Sequence, residues 1–336
     1  MSLLVVARET VEQNGPRPMD IVRDMGGISH LIDLVFAEDI AMDGGQFKRD
    51  LAMLAAASPL LWGLRRVSAE FRDAFDGFVW VEHGRIVGNV TLTRDDPARH
   101  VWTITNVVVH PDYRRRGIAR TLMNEAISAV RQRGGGPLAL EVKSGNEAAK
   151  DLYLNLGFHF VDGTATFRSP GRVTRSLPLA AQARLARPAD SQQLHQLALA
   201  VHSADALLLS PVVETNFRPP AVRRLWSSLQ DLFHQEQRFW LVVQEDNEDG
   251  NRLLAAARAC RRANDSNRVS ITIHPDGRGR VEDGIVQAAI AACSNGNGLS
   301  VQVGSDEQWA HAVLSTYEFT LVRNLHRLML PVDPSE

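Results

Sequence analysis

Apolar and polar residues alternate in three successive stretches of the N-terminal half, and this alternation predicts three antiparallel strands. Residues 78–82 and 86–93 flank a His-Gly-Arg sequence and form a predicted hairpin. Residues 100–109 follow a polar connection and provide the third strand. Upstream, apolar residues recur at helical spacing over 19–40 and 48–57, so the pattern predicts two helices before the hairpin.

The pattern then changes to helix, strand and helix. Apolar residues recur at helical spacing over 122–130, directly after the third strand. Residues 138–143 alternate as a strand, and the next helix is predicted over 147–156. Asn146 can cap the start of that helix, and Gly157 can adopt the left-handed conformation that ends it.

Shorter elements are predicted after this helix. Residues 158–161 begin a strand, Asp162 and Gly163 predict a turn, and a further strand is expected around Thr166. Residues 172–179 are expected to form the strand that closes the sheet.

The loop between the third strand and the following helix is basic and contains a glycine. It consists of Arg114, Arg115, Arg116, Gly117, Ile118 and Ala119, with Arg120 next. Backbone N–H groups at a helix start have no partner inside the helix, and the helix dipole adds partial positive charge there. Small residues leave this backbone accessible, and arginines provide forked donors for phosphate oxygens. The loop is therefore a predicted diphosphate cradle; a solvated surface loop is the alternative interpretation of these residues alone.

The Arg-x-x-Gly-x-Ala spacing differs from the common glycine motifs that bind nucleotides. It resembles the acyl-CoA pyrophosphate loop of the GCN5-related N-acetyltransferase (GNAT) superfamily. The string LEVKSGNEAAKDLYLNLGF at 140–158 resembles the second GNAT motif. Two motifs in this order and at this separation are more specific than either alone. The resemblance implies an α/β fold, in which helices cover both faces of a mixed sheet.

The resemblance also implies roles for individual residues. Backbone groups of Val107 and Val109, on either side of Val108, would hold the pantetheine arm and the thioester oxygen of acetyl-CoA. Such groups become free where a bulge makes a strand splay from its neighbour. Asn146 and Tyr153 would also contact the co-substrate, and the Tyr153 phenol would serve as general acid for the departing thiolate. An ordinary core strand and a packing tyrosine are the alternative interpretations.

No carboxylate occupies the central strand position at which some GNAT enzymes carry a catalytic glutamate; this chain has Asn106 there. Glu141 is the best substitute as general base. Its Leu-Glu-Val context resembles the ribosomal-protein alanine acetyltransferases, whose glutamate at that point is assigned as the base. A solvated strand residue, or a water relay that needs no dedicated base, are the alternatives.

A degraded copy of the same pattern follows. The matching segments are 105–112 with 269–276, 155–158 with 315–319, and 175–179 with 326–331. We interpret the chain as two copies of one fold, a catalytic N-terminal domain at 1–180 and a second domain at 181–336. The alternative is an unrelated α/β domain that shares a common strand–turn–helix.

The second copy lacks the residues that carry the predicted chemistry. When the two His-Pro-Asp turns are aligned, Val281 replaces Gly117, and Glu282 and Asp283 follow it. Their like charge repels the diphosphate that the first copy attracts. Leu314 stands at the position of the catalytic tyrosine. The second copy is therefore predicted to be degenerate and to serve a structural or acceptor-pocket role.

Composition and charge exclude several further classes of function. The chain has 336 residues, of which 44% are hydrophobic and 23% charged, as expected for a globular protein with two domains. A net charge of −2 argues against general binding to nucleic acid or to a membrane surface. Cys260 and Cys293 have no metal-ligand spacing and indicate reduced thiols in a cytoplasmic protein without a metal. No apolar stretch is long enough to span a bilayer.

The sequence thus predicts an acetyl-CoA-dependent N-acetyltransferase that acts by direct attack in a ternary complex. The acceptor is a primary amine of a small molecule or a peptide. The plan of two fused copies resembles mycothiol synthase-like acetyltransferases, and this architectural likeness does not carry the substrate with it. The alternatives are a non-catalytic acyl-CoA-binding or regulatory protein and a protein N-terminal acetyltransferase. The sequence leaves open whether the chain is a monomer or a homodimer.

Overall fold

The computed structural model describes seven stretches of the chain, 14–37, 76–96, 100–169, 183–217, 236–247, 250–262 and 266–335. The predicted helix over 48–57 and the predicted strand over 172–179 lie outside these ranges. Within the seven stretches, no helix combines the length and the apolar character that crossing a membrane requires.

From residue 76 to residue 154 the three strands, helix, strand and helix occur in the predicted order, whereas the short strand at Gly15–Pro18 was not predicted. The strands are β1 Gly15–Pro18, β2 Asp76–Glu82, β3 Arg85–Asp96, β4 Val101–Val109, β5 Gly136–Lys143, β6 His159–Arg168, β7 Ala183–Leu185, β8 Glu236–Asn247, β9 Gly250–Arg262, β10 Asn267–Ile273, β11 Leu299–Gly304 and β12 Thr320–Val332. The helices are α1 Ile21–Val35, α2 Ile118–Gln132, α3 Glu147–Leu154, α4 Ser191–Val201, α5 Ala204–Leu209, α6 Glu282–Ala292 and α7 Trp309–Thr316. Short 3₁₀ turns, Pro111–Tyr113 and Pro275–Gly277, precede α2 and α6.

The chain divides into two compact units, each assembled from separate segments. The first unit contains residues 1–140, 155–158 and 329–336, and the second contains 141–154 and 159–328. Neither unit is one continuous stretch of sequence. The predicted domain border at residue 180 falls outside the described residues and stays a prediction.

The first unit is built on a mixed sheet. β1, β2, β3 and β4 pair antiparallel in sequence order, and β5 pairs parallel with β4. The hairpin predicted from alternation is confirmed as β2 and β3. α1 covers one face of the sheet through Ile28, Leu31 and Ile32, which are buried against Val79 and Val108.

The second unit has a sheet of the same kind. β7, β8, β9 and β10 pair antiparallel in sequence order, and β11 pairs parallel with β10. β6 pairs antiparallel with β11, and β12 is its neighbour on the other side. α6 buries Ile285 and Ala289 in a core that also contains Val269 and Val301.

The predicted repeat is confirmed. β10, α6, β11, α7 and β12 repeat the order of β4, α2, β5, α3 and β6. The turn after the central strand is built in the same way in both copies. His110 Nδ1 accepts a hydrogen bond from the Asp112 N–H at 3.3 Å, and His274 Nδ1 accepts one from the Asp276 N–H at 3.1 Å.

The turn predicted at Asp162 and Gly163 is wrong, because both residues lie inside β6. Asp162 forms an ion pair with Arg327 of β12, whose Nε donates to Asp162 Oδ1 at 2.6 Å. A Cβ on Gly163 would lie 2.2 Å from the Leu325 carbonyl oxygen. The glycine therefore permits a close approach between neighbouring strands and does not reverse the chain.

Residues 326–331, which match the expected closing strand 175–179 in sequence, do form part of a strand. These residues lie within β12, which starts directly after the buried Phe319. β6 starts in the same way after the buried Phe158. β12 is therefore the counterpart of β6 in the second copy.

An ion pair at the start of the second copy predicts an acid-sensitive contribution to stability. Asp190 accepts hydrogen bonds from Arg184 at 2.6 and 2.9 Å and from the Arg187 N–H at 2.6 Å. Chiefly through the Arg184 hydrogen bond, these contacts hold the pKa of the Asp190 carboxyl below its usual value. A lowered folded-state pKa stabilises the protein at pH above the unfolded value of about 3.9, and this contribution is lost as the pH falls through the folded value.

We therefore expect Asp190→Asn to cost roughly 2 kcal/mol of unfolding free energy at pH 7 and less as the pH falls below about 4. Urea unfolding of the full chain at several pH values measures this difference. Asp151→Asn, at an exposed position of α3, is the control and should change the free energy by less than about 0.5 kcal/mol. A cost for Asp190→Asn that persists unchanged at pH 3 would contradict the assignment.

Candidate active site

The site begins at the turn that follows β4. The His110 N–H donates to the Val87 carbonyl at 2.8 Å, which ties the end of β4 to β3. The Tyr113 N–H donates back to the His110 carbonyl at 2.9 Å and closes the turn. The chain is thereby directed from the end of the strand into the arginine loop.

Gly117 is the residue at which the loop becomes a helix. It is the N-cap of α2, has φ of +80°, and is exposed. Its position has no side-chain cap, and a Cβ added there would meet no described residue within 4 Å. The first N–H groups of a helix have no partner inside it and lie at the positive end of its dipole, and Gly117 adds no side chain over them. This geometry suits an anion.

The four arginines of the cradle are all exposed: Arg114, Arg115, Arg116 and Arg120. Arg114 Nε donates to the Val109 carbonyl at 3.3 Å, and the Arg116 guanidinium donates to the Asp112 carbonyl at 3.1 Å. Arg116 also lies over the Tyr113 ring, 4.8 Å from its centroid. In the described part of the chain none of the four forms an ion pair with a carboxylate.

Two small or apolar residues complete the cradle. Ile118 is buried with only 3% of its surface exposed and anchors the first turn of α2 in the core, while Ala119 is half-buried. The helix start is consequently fixed by packing while its exposed side carries only backbone and arginines.

The end of β4 has the irregular geometry that the resemblance implied. Its ladder with β5 contains the pairs from Trp102↔Leu138 to Ile104↔Leu140 and ends there. On the β3 side the register shifts, and Asn106 has φ of +51°. This is a β-bulge, which releases backbone groups from regular pairing.

The three valines at the end of β4 differ in burial. Val108 is 2% exposed and belongs to the core beneath α1, whereas Val107 and Val109 are half-buried. The predicted core strand is therefore confirmed only for Val108.

Asn146 and Tyr153 lie in the second unit. Asn146 caps α3 as predicted, because its Oδ1 accepts from the Ala149 N–H at 3.2 Å. The helix ends at Leu154, two residues before the predicted end, and Gly157 has φ of +92°. Tyr153 is only 5% exposed, and this burial raises the pKa of its phenol to about 12.

Glu141 is exposed on β5 between the buried residues Leu140 and Val142. The predicted alternation at this point is therefore observed. The nearby ion pair on α3 joins Lys150 Nζ to Glu147 Oε1 at 2.8 Å and does not include Glu141. Glu141, Asn146 and Tyr153 share the second unit, while the valines and the whole arginine cradle share the first.

In the second copy, a carboxylate of the chain itself occupies the position that corresponds to the diphosphate cradle of the first copy. Glu282 is 6% exposed, and its Oε2 accepts from the Val281 N–H at 3.0 Å while its Oε1 accepts from the Gly279 N–H. Val281 is itself buried where Gly117 is exposed. The sequence predicted repulsion of an anion at this position, and the structure adds that a carboxylate of the chain takes the N–H donors.

The arginines of the second loop are also paired. Arg278 forms an ion pair with Glu307 at 2.8 Å, and Arg280 forms one with Glu245. Glu307 stands at the position of Asn146. Among the described residues, Arg278 and Arg280 of the second loop are therefore paired with carboxylates, whereas the four arginines of the first loop are not.

Sequence reasoning missed Asn89, a fully buried residue of β3 that contacts the bulge in β4. The only signal was a single amide residue within an otherwise apolar strand pattern. Such a residue usually has a specific hydrogen-bonding role when it is buried.

Comparison with known proteins agrees with this geometry. The model of the Acetyltransferase (GNAT) family matches residues 52–158. The [ribosomal protein bS18]-alanine N-acetyltransferase of Escherichia coli K12 is 44% identical over 57 residues, which are 17% of this chain and 38% of that protein. Streptothricin acetyltransferase of Streptomyces lavendulae is 43% identical over 58 residues, which are 17% of this chain and 31% of that protein. The matched segment thus spans less than two fifths of either relative.

The fold has a counterpart over its whole length. The crystal structure of a GCN5-related N-acetyltransferase from Sphaerobacter thermophilus superposes with a TM-score of 0.54 at 12% identity, covering 96% of this chain and 97% of that one. At this identity the likeness concerns the fold alone. The family match and the two motifs inside it lead to one assignment: residues 52–158 of this chain are a segment of the acetyltransferase (GNAT) family.

Proposed function

We propose that this chain is an acetyl-CoA-dependent N-acetyltransferase, and that its first copy binds the co-substrate and transfers the acetyl group to a primary amine. The observation that carries the proposal is the cradle around Gly117. It combines open backbone donors with four arginines that form no ion pair with a carboxylate among the described residues. A diphosphate needs both kinds of donor, and the residues present fit it.

The end of β4 would hold the rest of the co-substrate. Because the ladder with β5 ends at Ile104, Val107 and Val109 are not paired with β5, although Val109 stays in register with Gly88 of β3 and its carbonyl accepts from Arg114. In the proposed complex backbone groups of Val107 and Val109 bind the pantetheine arm and the thioester oxygen. A backbone N–H directed at this oxygen would stabilise the negative charge that develops as the amine attacks.

Tyr153 would act on the departing sulfur. Burial raises the pKa of its phenol to about 12. Complete proton transfer to the thiolate of a thiol with a pKa of about 8.5 would be uphill by about 3.5 pKa units, or roughly 5 kcal/mol. We therefore assign Tyr153 as a hydrogen-bond donor that stabilises the thiolate rather than as a group that becomes ionised.

The proton balance of the reaction then involves the amine. The amine nitrogen forms a bond to the carbonyl carbon, the carbon–sulfur bond breaks, and the thiolate leaves with the electron pair. The nitrogen gives up one proton to a base or to water and so becomes an amide nitrogen. Glu141 is the proposed base because it is exposed on β5 and a carboxylate can accept this proton. A water relay is the alternative, and a wild-type rate of thiol release in Glu141→Gln would favour it.

We further propose that each chain binds one acetyl-CoA. The second loop has its N–H donors occupied by Glu282, and its arginines are paired with Glu307 and Glu245. A diphosphate entering there would have to displace a buried carboxylate and two ion pairs. The role proposed for the second copy is structural or in forming the acceptor pocket.

Calorimetric titration of acetyl-CoA into the full chain, followed by an assay of thiol release, tests the proposal. We expect one equivalent per chain, and thiol release only when an amine is present. The amines should include a peptide with N-terminal alanine and an aminated small molecule, because the relatives named above act on a ribosomal protein and on streptothricin. Two equivalents would overturn the interpretation of the second copy. Binding without release for any amine would favour the non-catalytic alternative, and no binding would remove the enzyme proposal.

A further inference from the structure

The bulge in β4 has a defined register. Asn89 of β3 is opposite Val108, and Thr91 is opposite Thr105. One residue of β3 therefore faces two residues of β4, Asn106 and Val107. Asn106 takes up the extra length with φ of +51°, a conformation that non-glycine residues seldom adopt.

The side chain of Asn89 forms a hydrogen bond to this irregular segment. Its side chain has no exposed surface, and its Nδ2 donates to the Asn106 carbonyl at 3.0 Å and to Thr91 Oγ1 at 3.2 Å. Its Oδ1 is buried without a hydrogen-bond partner among the described residues. A buried amide with an unmatched oxygen destabilises a folded protein. An apolar residue would suit this core better if packing were the only requirement.

We propose that Asn89 is a positioning residue for acetyl transfer, because its amide fixes the bulge that orients the backbone of Val107 and Val109. This inference rests on the proposed function. A strand has a side-chain period of two, so loss of the extra residue from the ladder turns every later residue to the opposite face. Val108 would then leave the core, and the backbone groups assigned to the thioester would point elsewhere.

The test compares Asn89→Leu with Thr91→Val in steady-state kinetics. Leucine has a similar size and cannot donate to the Asn106 carbonyl, whereas valine at 91 removes only the other partner of the amide. We expect kcat to fall about 100-fold for Asn89→Leu, the loss typical of a misplaced reacting group. Thr91→Val should stay within about threefold of the wild type. Equal losses in both variants, or full activity in Asn89→Leu, would overturn the proposal.

A rescue experiment separates positioning from a general packing role. Glycine adopts a positive φ without strain, so adding Asn106→Gly to Asn89→Leu should favour the bulge again and recover about tenfold of the lost kcat. Conversely, Asn106→Val places a β-branched residue at a positive φ and should reproduce the loss although Asn89 is intact. This second variant also serves if Asn89→Leu fails to fold. Failure of the rescue together with full activity of Asn106→Val would exclude the positioning role.

The wild-type chain distinguishes this proposal from the one on which it rests. If the wild type shows no acetyl transfer to any amine, the proposed function fails. If it is active and the Asn89 and Asn106 variants are equally active, only the positioning role fails.

Discussion

Replacing Gly117 by glutamate should abolish acetyl-CoA binding that is measurable by calorimetry. The substitution forces a side chain into a backbone with φ of +80° and places a carboxylate at the N-terminus of α2. The second copy shows what a carboxylate does at such a helix start, since Glu282 accepts hydrogen bonds from the Val281 and Gly279 N–H groups. Competition for the donors and repulsion of the diphosphate act in the same direction. We expect at least a 100-fold loss of affinity, about 2.7 kcal/mol.

The matched control is Gly134→Glu. Gly134 follows the other end of α2 and has φ of +96°, and a Cβ added there would also meet no described residue within 4 Å. The backbone strain is therefore similar, while the charge lies at the C-terminal end of the helix, away from the cradle. Its affinity for acetyl-CoA should match the wild type. Equal loss in the two variants would mean that strain in α2, and not the cradle, governs binding.

The features predicted correctly are those whose conformation is determined by residues adjacent in the sequence. The hairpin β2–β3, the cap at Asn146 and the helix start at Gly117 each follow from the backbone preference of one or two residues. The repeat was recognisable because His110 and His274 build the same turn from the same three-residue sequence. Local rules were sufficient for these features.

The errors concern contacts between residues distant in sequence. The sequence predicts a turn at Gly163. In the structure a glycine is needed there because any Cβ would clash with the Leu325 carbonyl on β12, more than a hundred residues later in the sequence. In the same way, nothing local shows that the strand containing residues 326–331 runs without a break from Thr320. Pairing of this kind depends on which strand lies beside which, and composition within one window does not contain that information.

The bulge at Asn106 lies between these two cases. The resemblance implied a bulge in this strand, but the residue that fixes it, Asn89, is seventeen positions earlier on the neighbouring strand. An asparagine in an apolar strand can equally mark an edge or a turn. The cross-strand register was needed to assign its role.

Tyr153→Phe should lower kcat about 100-fold and leave the affinity for acetyl-CoA within about threefold of the wild type. The reason is that the phenol interacts with a charge on sulfur that exists only as the bond breaks, and loss of one such donor typically costs a factor of 100 to 1,000. The control is Tyr317→Phe, which removes the hydroxyl that donates to Asp283 Oδ1 at 2.5 Å in the second copy. Its kcat should be unchanged.

The pH dependence decides which role Tyr153 plays. Because burial raises the pKa of the phenol to about 12, Tyr153 stays protonated throughout the accessible alkaline range. Wild-type kcat should therefore show no decline attributable to this residue below about pH 11, and Tyr153→Phe should lower the whole profile without changing its shape. If instead the wild type declined near pH 10 and the phenylalanine variant did not, the phenol would be titrating during turnover. Tyr153 would then be a true proton donor whose pKa in the ternary complex is close to that of free tyrosine, and binding of the two substrates would have to relieve the effect of its burial.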